Sequence, residues 1–132
     1  MKWLRIRNEI SEKDMDVLEE KLDIHLPKDY KMAMPRLHCG APEKQAVFVE
    51  GLGECSYSRN LPLTEKRKGN VFVLYEIMRQ RGRHLFPFAS VGNGDYFCFD
   101  LDHENQVVYW FHENDTVYPV CRTFRELTEM LH

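Results

Sequence analysis

The sequence has no apolar run near 18 residues, so it contains no segment typical of a membrane-spanning helix. Its start, MKWLRIRNEI, carries charge and lacks the apolar core of a secretory signal peptide. We therefore expect a cytoplasmic protein that does not bind membranes. The chain has 132 residues, of which 43% are hydrophobic and 30% are charged, and these values predict one globular domain over residues 1–132.

Motifs that hold metals or activate nucleophiles are also missing. The four cysteines form no CxxC pair, so we expect reduced, mostly buried thiols, and spacing selects no cysteine–histidine pair for catalysis. His103 and His112 each stand beside a glutamate, but they do not form a helical HExxH. Asp100, Asp102 and Glu104 form a DxDxE string without the glycine and final glutamate of a calcium loop. The sequence therefore predicts no catalytic residue, metal site or cofactor.

Positive charge is scarce in the last third of the chain. Residues 91–132 hold 2 basic and 8 acidic side chains, whereas residues 36–90 hold 9 basic and 5 acidic ones. An acidic surface attracts a basic partner and repels nucleic acid. We therefore predict a basic protein partner and no direct contact with nucleic acid.

Local signals predict four helices. Ser11, Asn70 and Thr123 are suitable N-caps, and Pro27 suits the first turn of another helix. Pro35 is expected to kink or end that second helix early. Residues 71–81 contain β-branched residues typical of a strand, but their apolar spacing and possible caps favour a helix.

Short aromatic and β-branched segments predict a sheet. Residues 46–52 are predicted to form a strand and 53–69 a long irregular loop, and four more strands follow from residue 86 onward, namely FPFASV, YFCFDL, VVYWFH and VYPVC. Asn93-Gly94 predicts a two-residue hairpin turn. A phosphate-binding loop would need a helix after the glycines, and here a strand follows. We expect an α+β fold with a twisted, mostly antiparallel sheet, a C-terminal β-meander and about four packed helices.

Antiparallel pairing of the last four strands predicts two acidic ends of the sheet. Asp95, Glu113 and Asp115 belong to one end, and Asp102 and Glu104 belong to the other. Asp100 lies one residue inside its strand. An exposed aromatic side chain would anchor a partner, while charges at the rim would set the association rate. The candidate partner-binding residues are therefore Asp95, Tyr96, Asp100, Asp102, Glu104, Glu113 and Asp115.

Four segments follow one another along the chain: LEEKLDIHLPKDYK at 18–31, LFPFASVGNGDYFCFDL at 85–101, VVYWFHE at 107–113 and TFRELTEML at 123–131. In this order they resemble the SUKH superfamily, the Smi/Knr-type proteins. Many members have Asn-Gly-Gly where this chain has His38-Cys39-Gly40, and residues 41–69 match no family segment.

The resemblance implies a non-enzymatic α+β domain. Bacterial members are mostly immunity proteins that neutralise a cognate toxin, often a nuclease, whereas some fungal relatives are regulatory scaffolds. An immunity protein, monomeric or weakly dimeric, is the first expectation, and a regulatory interaction module without a toxin is the alternative. A small metal-dependent enzyme using Asp100, Asp102 and His103 is a third hypothesis.

Overall fold

The computed structural model describes residues 1–132 and contains four helices and nine strands. The helices are α1 (Glu12–Leu22), α2 (Lys28–Leu37), α3 (Val71–Gln80) and α4 (Phe124–Met130). The strands are β1 (Trp3–Leu4), β2 (Ala41–Pro42), β3 (Ala46–Val49), β4 (Gly53–Ser56), β5 (Arg59–Asn60), β6 (Leu85–Ser90), β7 (Tyr96–Asp100), β8 (Gln106–Phe111) and β9 (Thr116–Cys121). The predicted α+β class is confirmed.

All strand pairs are antiparallel, and the main sheet has the order β5-β6-β7-β8-β9. Its last four strands form the predicted meander. The two small sheets β1-β2 and β3-β4 complete the architecture. The region 53–69, predicted to be irregular, contains β4 and β5, because β4 pairs with β3 and β5 adds to the edge of β6.

Helix starts follow the predicted caps. The Ser11 side chain accepts from the Asp14 backbone N–H, and the Asp14 carboxylate accepts from the Ser11 N–H at 2.8 Å, which completes a capping box. Asn70 and Thr123 cap α3 and α4 in the same way through their side-chain oxygens. Pro35 lies within α2, which ends at Leu37, so the helix continues for a short distance past the proline.

The turn between β6 and β7 differs from the prediction. It is a loop over residues 91–95, closed by a bond from the Val91 N–H to the Asp95 carbonyl at 3.2 Å. Positive φ angles occur at Gly92 and Gly94, and the Asn93 side chain accepts from the Asp95 N–H at 3.0 Å. The predicted two-residue turn at Asn93-Gly94 is therefore wrong, because the asparagine side chain stabilises a wider loop.

Both faces of the meander are covered, as its apolar composition predicts. One face belongs to a cluster of 24 buried residues that includes side chains from all four helices. Tyr30 of α2 lies at its centre, edge-on to Phe88, Phe99 and Phe124, and its hydroxyl has no hydrogen-bond partner. On the other face, Met78 of α3 packs in a smaller cluster with Leu85, Cys98, Val108 and Trp110. None of the four helices has the length and hydrophobicity of a membrane-spanning segment.

Candidate partner-binding surface

The meander places the acidic turns at opposite ends of the sheet. Ser90, Tyr96 and Trp110 are register partners beside the loop 91–95 and the turn 112–115, which together we call the Asn93 end. Leu85, Asp100 and the first residue of β8 are partners beside the turn 101–105, which we call the Asp102 end. The two groups of acidic residues are therefore separated by the length of the strands.

Asp95 at the Asn93 end is buried, with only 1% of its surface exposed. Its carboxylate accepts bonds from the Tyr109 hydroxyl, the His112 Nδ1–H and the His112 backbone N–H, the last at 2.9 Å. Burial alone would raise its pKa, but these bonds together hold the pKa below the usual value. Asp95 therefore stabilises the loop from inside and does not contribute to an exposed acidic surface.

The carboxylate of Asp115 is also engaged, by a hydrogen bond and an ion pair. Its Oδ1 accepts from Trp110 Nε1 at 2.6 Å and pairs with Arg83 Nε at 3.2 Å. The bond from Trp110, followed by the charge of Arg83, lowers the pKa of Asp115. Glu113 is the remaining carboxylate of the Asn93 end, and it is exposed and has no ion pair. This end is therefore far less acidic than its sequence suggests.

The Asp102 end has two exposed carboxylates, those of Asp102 and Glu104, while Asp100 is mostly covered. The Asp102 side chain is 65% exposed and binds His84 Nδ1 at 2.7 Å, while Asp100 is 19% exposed and binds His103 Nδ1 at 2.9 Å. Glu104 is exposed in the left-handed region, with φ 56°. None of these three carboxylates forms an ion pair with a lysine or arginine. The hydrogen bond that His103 donates to the Asp100 carboxylate, followed by the charge of that carboxylate, raises the pKa of His103.

The α1–α2 connection adds charge to the Asp102 end. Asp23 ends α1 in the left-handed conformation, with φ 55°, and it lines a small cavity together with Glu104. The Asn105 side chain donates to the His25 carbonyl at 3.1 Å, which joins this connection to the turn. Sequence reasoning missed Asp23 and His25 because they lie some eighty residues before the turn they contact.

Tyr96 is not a free aromatic anchor. It is half-buried and stacks on Trp110, with ring centroids 6.2 Å apart, and the Arg81 guanidinium lies over the same indole ring. The most exposed aromatic ring belongs to Phe48 of β3, which is 60% exposed. The alternation of Val47, Phe48 and Val49 could have identified it, because only the two valines face the core.

Glu9, His38 and Cys39 bring three possible metal ligands within 4.8 Å of one another. However, His38 is fully buried, its Nε2 accepts from the Leu63 N–H at 2.8 Å, and its Nδ1 lies 3.2 Å from the Arg7 carbonyl. Both ring nitrogens are therefore used by the backbone. Burial lowers the pKa of His38 and raises that of the Cys39 thiol, so both side chains are held neutral.

These features define a class of protein: an α+β domain on a five-stranded antiparallel sheet, with two exposed carboxylates, Asp102 and Glu104, on a turn at one end of the sheet. The chain belongs to the SMI1 / KNR4 family (SUKH-1), whose family model matches residues 9–130. The match covers nearly all of the chain and confirms the resemblance. The comparisons found no matching curated protein and no matching solved structure.

Proposed function

We propose that this protein is a non-enzymatic immunity protein that binds and neutralises a cognate toxin, with a basic nuclease domain as its partner. Membership of the SMI1 / KNR4 family is compatible with this role. The observation that carries the proposal is the Asp102 end, where exposed carboxylates have no lysine or arginine partner. A nuclease must attract a polyanion, so its binding surface is basic and complementary to such an end.

The interior chemistry supports a binding role without catalysis. A thiol nucleophile needs a neighbouring base, but the ring nitrogens of His38 beside Cys39 are already occupied by Leu63 and Arg7. We expect no hydrolysis of nucleic acid by the purified protein in the presence of divalent metal ions. Turnover abolished by Asp100→Asn with Asp102→Asn would support the enzyme hypothesis instead.

The first experiment tests whether the partner is a toxin that this protein inhibits. The product of a neighbouring toxin gene should co-purify with this protein, and stoichiometric addition of this protein should suppress the toxin's nuclease activity. We expect the free protein to be a monomer or weak dimer by light scattering. Strong binding to a protein without toxic activity would support the alternative, a regulatory module.

The binding surface is tested by charge reversal. Asp102→Lys with Glu104→Lys should slow association with the toxin about tenfold at low salt and flatten its salt dependence, because exposed charges act mainly on the encounter rate. Stopped-flow fluorescence over a range of ionic strength measures both quantities. The matched control is Glu43→Lys with Glu50→Lys, which changes the net charge equally at two exposed glutamates that form no ion pair.

Two outcomes of this experiment are decisive. Equal slowing by both double variants would show that net charge alone acts and that the Asp102 end is not the contact. No change in either variant would exclude an electrostatic contact at this end and would direct attention to exposed Phe48 on the β3–β4 hairpin.

A further inference from the structure

Three arginines from separate segments meet at the turn over residues 38–40, which joins α2 to β2. They are Arg7, Arg59 and Arg67, and together we call them the arginine surface. We infer that the arginine surface binds an acidic polypeptide segment of a protein partner, because guanidinium groups form strong, paired hydrogen bonds with carboxylates. Clusters of arginine are a common means of recognising acidic motifs. This inference goes beyond the proposed function, whose partner is basic.

Backbone hydrogen bonds hold two of the three segments against the turn. The Arg7 N–H donates to the His38 carbonyl at 2.9 Å. The N–H of Asn60, which follows Arg59 in β5, donates to the Gly40 carbonyl at 2.8 Å. The backbone at Arg7 and at Arg59 is therefore fixed next to the same three-residue turn.

The third segment is the connection between β5 and α3, which carries Arg67. Arg67 Nε pairs with Glu9 Oε1 at 2.6 Å, and the same oxygen lies 3.7 Å from His38 Nδ1. Burial raises the pKa of the Cys39 thiol within the turn, and the charges of all three arginines act in the opposite direction. The three positive charges therefore surround the same thiol.

Positive charge is in excess at the arginine surface. The ion pair between Arg67 and Glu9 is the one pair of an arginine with a carboxylate here. Arg7 and Arg59 are exposed and have no ion pair, and Lys66 and Lys68 are exposed on either side of Arg67. Two guanidinium groups are therefore free to bind carboxylates of a partner.

The surroundings favour an acidic polypeptide over a nucleic acid. Proteins that bind single-stranded nucleic acids commonly stack the bases on accessible aromatic rings. Trp3, on the same segment as Arg7, is half-buried and packs edge-on against Tyr57, with ring centroids 5.9 Å apart. A Cβ atom at Gly40 would lie 3.6 Å from the same indole ring, so this ring packs on the turn. The arginine surface therefore offers charge without a stacking platform.

The experiment uses the full chain without any toxin, so its outcome is independent of the Asp102 end. Fluorescence anisotropy with a fluorescein-labelled deca-glutamate peptide at low ionic strength should show saturable binding. Arg7→Gln with Arg59→Gln should weaken this binding at least about tenfold, because two charged hydrogen-bond donors are removed. Glu9→Gln should tighten it about threefold, because the substitution releases Arg67 from its ion pair.

Lys28→Gln with Arg122→Gln is the matched control, because it also removes two exposed cations that form no ion pair. It should leave binding of the peptide unchanged. Backbone amide NMR shifts provide a second readout, and on titration they should move at Gly40 and Arg59. The inference is overturned if no saturable binding occurs, if both double variants weaken binding equally, or if labelled decathymidylate binds more tightly than the peptide.

Discussion

Replacing Asp95 by alanine distinguishes a buried structural role from a contact with the partner. The carboxylate accepts three hydrogen bonds, two from His112 and one from the Tyr109 hydroxyl. Hydrogen bonds to charged groups contribute about 1.5–3 kcal/mol each. Because the three bonds share one acceptor, their sum overstates the effect, and we expect a loss of about 3–5 kcal/mol, as for other broken buried networks.

Urea unfolding followed by circular dichroism measures this loss directly. In a thermal melt the same change corresponds to a decrease in Tm of roughly 10–18 °C for a domain of this length. Glu113→Ala is the control, since Glu113 belongs to the same end of the sheet but is exposed and unpaired. Its effect on the free energy of unfolding should stay within about 0.5 kcal/mol.

The pH dependence of Asp95→Ala gives a second test. The pKa of Asp95 is lower in the folded protein than its ordinary value, so its carboxylate contribution is complete above about pH 4. That contribution to stability is lost as the pH falls through the pKa of Asp95 in the folded protein. In this pH range the difference in stability between the original protein and Asp95→Ala should become smaller. If Asp95→Ala is as stable as Glu113→Ala but fails to bind the toxin, the structural role is refuted.

Three further predictions concern stability. Gly94→Val should lower the free energy of unfolding in urea by about 2 kcal/mol, because φ is 97° at this position and a Cβ atom would lie 3.3 Å from His112 Nδ1. An unchanged urea midpoint would contradict this prediction. Tyr30→Phe should leave stability unchanged or raise it by about 1–3 kcal/mol, because the buried hydroxyl has no partner, and a clear loss would reveal a missing contact. Burial lowers the pKa of His38, so the contribution of its neutral ring to the free energy of unfolding is complete above about pH 6.5 and declines below that pH until the folded pKa is reached. His38→Gln should remove this pH dependence from free energies of unfolding measured between about pH 5 and 8.

Helices and strands that depend on interactions between residues close in sequence can be predicted from the sequence. The capping oxygens of Ser11, Asn70 and Thr123 each reach a backbone N–H three residues later, so each interaction is encoded in a short segment. The meander strands are similarly marked by runs of aromatic and β-branched residues between polar turns. These local preferences determined the four helices and the order of the last four strands.

Tertiary structure decided which charged residues remain available. Asp95 and Asp115 look like ordinary turn residues, yet partners at Tyr109, His112 and Arg83 engage them. At the other end, packing of the α1–α2 connection against the turn brings His25 beside Glu104. The sequence alone determined the four helices, β3 and the four meander strands, because caps and strand patterns act within a few residues, whereas the short strands β1, β2, β4 and β5 form only where a partner strand pairs with them. Only the folded chain decided which of these carboxylates are exposed, because the partners of Asp95 and Asp115 lie between 5 and 32 residues away in the sequence and meet them only through packing.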